Sequence, residues 1–421
     1  MIKTNKLLDP EFAEGGIFTP PSPITSVHAS LKTTKGRIFA ASTSGEFALF
    51  RLDQNNLLDK HFGSNGTGLV TGTFKEEYLS RSEHLLALDN DRLLLVGSTT
   101  DNTFYGSRAA LACFTNDGVL DDQFGSNGFV VIEPTELVPG TPPAPPRVRA
   151  PDLFNSQQSV EAPKHAAKVT AHGADGSFYV LANDSRGGLA IILKYLRNGK
   201  LDLSFNKTGY RYLIRSALDF SHATTLHVDE TCILVGGHLQ QGLEGNVNAL
   251  AIKLTHDGEY DKTFGEKGFG FFTDQLTSLA DFVVLPDKSL VACGNGPSLQ
   301  NLLVALTPCG EIDESFDSSP LNPGGSVKWE CITYSDQPSP NLVPIGVLSK
   351  DNNFPMLIAR YDTKGRIDLS FAEDGYGTVT VQRFTLPLGC ERDDTGAVLA
   401  CGIAQLDSPT QPFVVRLRTN Q

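Results

Sequence analysis

Residues 117–128 read Asp117-Gly118-Val119-Leu120-Asp121-Asp122-Gln123-Phe124-Gly125-Ser126-Asn127-Gly128, and the phrase at their centre, Leu-Asp-x-x-Phe, decides the fold. With Tyr or Ile allowed at the first place it returns seven times, as Leu8-Asp9 to Phe12, Leu58-Asp59 to Phe62, Leu120-Asp121 to Phe124, Leu201-Asp202 to Phe205, Tyr260-Asp261 to Phe264, Ile312-Asp313 to Phe316 and Ile367-Asp368 to Phe371. The aspartates are 50, 62, 81, 59, 52 and 55 residues apart. A glycine stands seven residues after the Asp in six copies, with Pro320 in the remaining one; another stands three before it in five. A period of this size is the mark of a repeat architecture. It overrides the two or three domains that 421 residues suggest, and one domain over 1–421 is expected.

Each unit carries four short segments rich in β-branched and aromatic residues, bounded by Gly, Pro, Asn and Asp. After Asp59 they are Thr67–Thr71, His84–Leu88, Arg92–Gly97 and Ala109–Thr115; in the fifth unit they are Phe269–Thr273, Ala280–Leu285, Ser289–Cys293 and Asn301–Thr307. No stretch has the 3.6-residue period of a helix, so the fold class is all-β. Between the second and third segments lie hairpin turns such as Lys35-Gly36, Asn90-Asp91 and Asp175-Gly176. The recurrent Asp is suited to accept nearby backbone N–H groups in an Asx-turn, while the Phe and the preceding aliphatic plug the space beneath. A basic residue eight positions earlier (Arg51, Lys194, Lys253, Arg360) is placed to pair with it. A calcium role is the competing reading, but the loop offers one constant carboxylate where calcium needs several oxygens in succession.

The two ends complement each other. Pro412–Arg418 matches a fourth segment with no signature after it, and Leu8–Thr19 supplies the missing signature and strand. The sequence therefore predicts a seven-bladed β-propeller of four-stranded antiparallel blades, closed by the N-terminal strand pairing with the C-terminal blade. The phrase at 117–128 resembles the delta-60 repeat family of bacterial β-propeller-like proteins, whose signature is Asp-Gly-x-Leu-Asp-x-x-Phe-Gly-x-x-Gly. Asp257-Gly258-Glu259-Tyr260-Asp261 to Phe264-Gly265 and Gly268 is close to the same pattern. The resemblance implies the fold and carries no catalytic signature. Asn206, Asp317 and Ala372 depart from it, and Pro320 with Pro323 predicts an irregular blade edge.

A net charge of -13 argues against nucleic acid and anionic membranes as partners. The start Met1–Pro10 lacks an apolar leader and no run of 18 apolar residues occurs, from which a cytoplasmic location is expected; a monomer is expected as well. Seven cysteines without CxxC or Cys-His spacing read as small buried apolar residues. No metal or cofactor motif is present, and none is expected.

If the second segment of each unit is the innermost strand a, followed by b, c and the signature strand d, then the a–b and c–d connections share one face and are uniform. The d–a and b–c loops share the other face and vary, notably Thr99–Arg108, Asn183–Gly188, His238–Asn248, Gly294–Gln300 and Gln405–Gln411. The largest departure is a proline-rich insertion at 133–165, with eight of the 24 prolines. The catalytic search is thin. His165 with His172, and His222, His227 and His238, are near one another in sequence, but His222 and His227 would face opposite sides of a regular strand. Glu76-Glu77 and Glu391-Arg392-Asp393-Asp394 are acidic clusters, and Trp329 begins an inner strand, suited to core or channel wall. The function expected is a non-catalytic binding or scaffold protein presenting its variable loop face to a protein or glycan. The alternative is a carbohydrate-active hydrolase or lyase with its site at the channel mouth.

Overall fold

The computed structural model describes residues 6–133 and 169–419, apart from 90, 101–106, 174, 185–187, 218, 243–244, 273–275, 297–301, 318–320, 338, 373 and 406–409. The proline-rich insertion, save Glu133, lies outside the described residues, as does His165. Seven antiparallel sheets follow one another along the chain. Their inner strands are Ser26–Thr33, Leu79–Ala87, Thr170–His172, Asp219–Val228, Ser278–Val284, Ser326–Ser335 and Phe384–Arg392. Each touches the next, and the seventh touches the first, so the sheets form a closed ring. Strands a to d run outward in chain order, which is why one repeat makes one blade.

Blade 7 takes its fourth strand from the other end of the chain. Ile17–Phe18 pairs with Gln411–Leu417 in the register Ile17↔Val415 and Phe18↔Val414. Blade 5 has three strands among the described residues, Ser278–Val284, Leu290–Asn295 and Leu303–Leu306. The signature that should lead into its fourth has lost its glycine to Pro320, and Pro323, which has no N–H, follows. Blade 6 also departs, its strand c being split into Met356–Ala359 and Tyr361–Asp362.

The signature has a physical reading residue by residue. In every copy the Asp carboxylate accepts the N–H two residues on, from Glu11, His61, Gln123, Ser204, Thr263, Ser315 and Ser370. This is the Asx-turn. Its second oxygen takes the basic residue eight back: Arg51–Asp59 at 2.7 Å, Lys194–Asp202 at 2.9 Å, Lys253–Asp261 at 3.2 Å and Arg360–Asp368 at 2.8 Å. Asp121 has Cys113 at that place and is paired instead by Arg92 of strand b, at 3.0 Å. The aliphatic or Tyr before each Asp bridges the end of strand c, as in Leu52↔Leu58 and Phe114↔Leu120.

The rest of the phrase joins blade to blade. All seven signature Phe side chains are buried. The residue after the Phe donates its N–H to the turn of the next blade: Gly63 to Asp117 O at 2.8 Å, Gly125 to Asn198 O at 2.9 Å, and likewise for Asn206, Gly265 and Asp317. The glycine of that turn lies flat on the Phe behind it; a Cβ on Gly118 would stand 2.9 Å from the Phe62 ring, at a φ of +79°.

Asp121→Ala is expected to destabilise by about 0.5–2 kcal/mol, since the Gln123 N–H loses its acceptor while Arg92 keeps Asp89. Among the described residues no three His, Cys, Asp or Glu are grouped to hold a metal ion. Calcium should therefore leave the melting temperature unchanged. A stoichiometric calcium shift that Asp121→Ala abolishes would overturn the structural role.

Candidate functional site

Six inner strands carry a β-bulge at the same place, with the extra residue at His28, Glu83, Thr224, Ala280, Glu330 and Leu388. A bulge bends the strand and re-aims the side chains after it. Opposite it on strand b, five blades have a glycine: Gly97, Gly237, Gly294, Gly346 and Gly402. A Cβ at any of them would stand 2.0–2.1 Å from a strand-a carbonyl oxygen. In these five blades the missing side chain lets the strand-a carbonyl come close, while blade 1 carries the same bulge opposite Ala41.

Just past the bulges is a cavity of about 400 Å³, bordered by residues from all seven inner strands and so at the centre of the ring. Its lining runs from the bulge toward the end of strand a that enters the a–b turns. His28, His84, His172 and His227 stand around it, one from each of the first four blades, and Asp281, Cys331, Cys390 and Glu391 come from the last three. Of these eight, the sequence points to His172 and His227 by proximity and to Glu391 by its acidic cluster, and to none of the other five. His222 is elsewhere: it pairs across the hairpin with His238, the rings stacked 5.0 Å apart. The bulge at Thr224 separates His222 from His227, so counting odd and even positions does not assign their faces.

Burial or partners already in place hold several of the groups at the cavity. His28 is fully buried; burial and the Arg81 charge push its imidazole well below the ordinary range, so it is neutral. Its Nε2 lies 2.8 Å from Ser26 Oγ and 3.2 Å from Ser42 Oγ, while Nδ1 meets no protein partner. His172 is likewise lowered by burial. Cys331 is pushed well above the usual thiol range by the neighbouring Cys390 thiol and by burial, which disfavours the reactive thiolate. Asp281 accepts the Thr225 hydroxyl at 2.8 Å, the Phe282 N–H at 2.9 Å and the Ile332 N–H at 3.2 Å. Glu391 is clasped by the Arg37 guanidinium and by Ser30 Oγ at 2.6 Å.

The other candidates resolve into packing and closure. In the 391–394 cluster, Glu391 meets Arg37, Asp393 meets Arg416 at 2.7 Å and Asp394 meets Lys32, so it ties blade 7 to blade 1. Glu76 and Glu77 are exposed loop residues. Trp329 is fully buried in the core cluster that blades 5 and 6 share. All seven cysteines are free thiols; five are buried, Cys390 is half-buried and Cys309 is exposed. Among the described residues no helix is long and apolar enough to cross a membrane.

These environments predict acid lability. Burial works against the charges of Asp9, Asp59, Asp202 and Asp368, but backbone N–H groups and the paired cations outweigh it and hold them below the usual carboxylate range. His28 and His172 are depressed by burial, and His238 is lowered by the same cause to about 4. A depressed group binds its proton more readily in the unfolded chain, so its stabilisation is present above the unfolded value and lost as pH falls. The melting temperature should begin to fall below about pH 6.5 as unfolded histidines take protons, and fall faster below about pH 4 as carboxylates follow. A melting temperature flat from pH 7 to pH 3.5 would contradict these assignments.

One family profile, described as "Domain of unknown function (DUF5122) beta-propeller", matches residues 89–124, which span strands b and c of blade 2 and its signature up to Phe124. No curated protein matches the chain. Among solved structures, the chain is similar to Drosophila Semaphorin 2a, with 7% identity over 98% of this chain and 76% of that one and a TM-score of 0.49. It is also similar to the β-propeller domain of the Trilobed protease from Pyrococcus furiosus, at 8% identity over 96% of both chains with a TM-score of 0.45. A glucose dehydrogenase shares 10% identity over 95% of this chain and 99% of its own, with a TM-score of 0.42.

Proposed function

We propose that this protein is a non-catalytic binding module that engages a protein or glycan on the rim formed by its d–a and b–c loops. The observation that carries this reading is the contrast between the two ends of the ring. The c–d turns repeat one phrase with one set of hydrogen bonds and, in four of them, the same ion pair. The fully described b–c loops, four residues at 43–46 and six at 350–355, share no pattern of residue types. A rigid frame with divergent loops at one end is the arrangement of a binding surface. The alternative, a carbohydrate-active hydrolase or lyase, draws on Asp281 and Glu391, the two carboxylates at the central cavity. Their existing partners, and a Cys331 thiol pushed toward the neutral form, favour binding over chemistry.

The test is capture on a glycan array and from a protein library, with the intact chain beside a variant whose 43–46 and 350–355 loops are replaced by Gly-Ser segments of equal length. A specific partner lost with those loops is the expected result. Turnover of a polysaccharide that is lost on replacing Glu391, but unaffected by the loop replacement, would overturn it.

A further inference from the structure

We propose that the central cavity is a binding site for a small organic cation carrying a protonated amine, with Asp281 as its counter-ion. Asp281 follows the bulge of blade 5 and is 4% exposed. Its three partners, the Thr225 hydroxyl and the Phe282 and Ile332 N–H groups, are all neutral and come from blades 4, 5 and 6. They fill about three of the four acceptor sites of a carboxylate, leaving one at the oxygen that Ile332 approaches. Among the described residues Asp281 forms no ion pair. A carboxylate taken out of water without a cation is costly unless something brings the opposite charge to it.

The cavity is built to admit that charge. Among the described residues no Lys or Arg lines it, and of the two carboxylates there Glu391 already has Arg37, so Asp281 is the uncompensated one. His28 is neutral and fully buried, so it adds no positive charge to the wall. Leu86, Leu226 and Val228 supply an apolar wall for a hydrocarbon body. About 400 Å³ is a volume for an organic molecule rather than a bare ion, within the usual range of about 300–1,000 Å³. The described residues offer no three-ligand cluster for a metal. An ammonium group, unlike a metal ion, needs only hydrogen-bond acceptors and a counter-charge. The net charge of -13 favours the approach of cations over anions.

The probes are n-alkylammonium chlorides from ethyl to hexyl and phenethylammonium chloride, each beside its neutral alcohol of the same shape. They are titrated calorimetrically into the intact protein, Asp281→Asn and Thr225→Val. At least one ammonium should bind saturably and raise the melting temperature, with its alcohol about tenfold weaker or more. Asp281→Asn should weaken the ammonium by a similar factor. Thr225→Val, which keeps the carboxylate, should bind within about threefold of wild type even where it melts earlier, because the charge pair is retained. Should Asp281→Asn not fold, the half-buried Cys390 thiol serves in the unaltered protein: a bound ammonium should slow its alkylation and the alcohol should not. Equal binding of ammonium and alcohol, undiminished binding by folded Asp281→Asn, or no ammonium that binds or protects Cys390 would each overturn the proposal. None of these outcomes bears on the loop rim, whose partner is lost or kept independently.

Discussion

Removal of residues 1–19 is expected to abolish the cooperative melting of the whole ring, because the segment closes it. Without Ile17–Phe18, strand Gln411–Leu417 becomes an unpaired edge. Phe12, 2% exposed in the intact chain, and Leu7 leave the core, at about 1.5–3 kcal/mol for each buried side chain. The closure also reproduces the signature across the chain ends. The Asp9 N–H donates to Arg416 O at 2.9 Å, as the Asp59 N–H does to Arg51 O within blade 1. Arg416 clasps the Asp9 carboxylate as Arg51 clasps that of Asp59, and Arg418 adds a second hold at 2.9 Å. Leu8 bridges Leu417 where Leu58 bridges Leu52. The shortened protein should aggregate or melt over a broad range, since an open apolar edge is a template for other chains. An unchanged thermal midpoint by calorimetry would show that blade 7 stands without its fourth strand.

The architecture could be read in advance because its causes are local and repeated. Seven copies of one turn, each with Asp, Phe and a partner eight residues back, leave little choice but seven equal units, and the incomplete repeats at the two ends imply their own pairing. Strand bounds were less legible where the bulges fall. The inner strand of blade 2 starts at Leu79 rather than His84, because the extra residue at Glu83 breaks the alternation that marks a strand. The same irregularity defeats the odd-and-even argument for His222 and His227. The recurrent small residue on strand b, glycine in five blades, was the available signal for both. The central cavity had little linear signal: His28, Asp281 and Glu391 share it only through ring closure, the first two unremarkable in their own stretches and the third marked only by its acidic neighbours. Nor does sequence show that Glu391, Asp393 and Asp394 are spoken for, since Arg37 and Lys32 come from the other end of the chain and Arg416 from another strand of the same blade.

The second large effect is expected from Gly365→Ala, at a position where two independent penalties meet. Gly365 has a φ of +79°, in the left-handed region where a Cβ costs about 1–2 kcal/mol. The added methyl would also stand 2.3 Å from the Asp317 carbonyl oxygen and 2.5 Å from the Phe316 ring, both in the preceding blade. Neither neighbour can yield cheaply. The Asp317 N–H donates to Lys364 O at 2.7 Å, so moving that backbone breaks the hydrogen bond between blades 5 and 6. Phe316 is the plug of a blade that already has only three described strands. Overpacking of this kind adds about 1–3 kcal/mol, for a total of about 2–5 kcal/mol. Gly66, which also has a positive φ of +70° but nothing near its Cβ, is the control: Gly66→Ala should lose only the backbone part, about 1–2 kcal/mol. The measurement is chemical denaturation of both variants beside the parent. Equal losses would mean that the glycine serves backbone conformation alone; a larger loss at Gly365 would identify the flat contact between a turn and the Phe behind it as what holds successive blades in register.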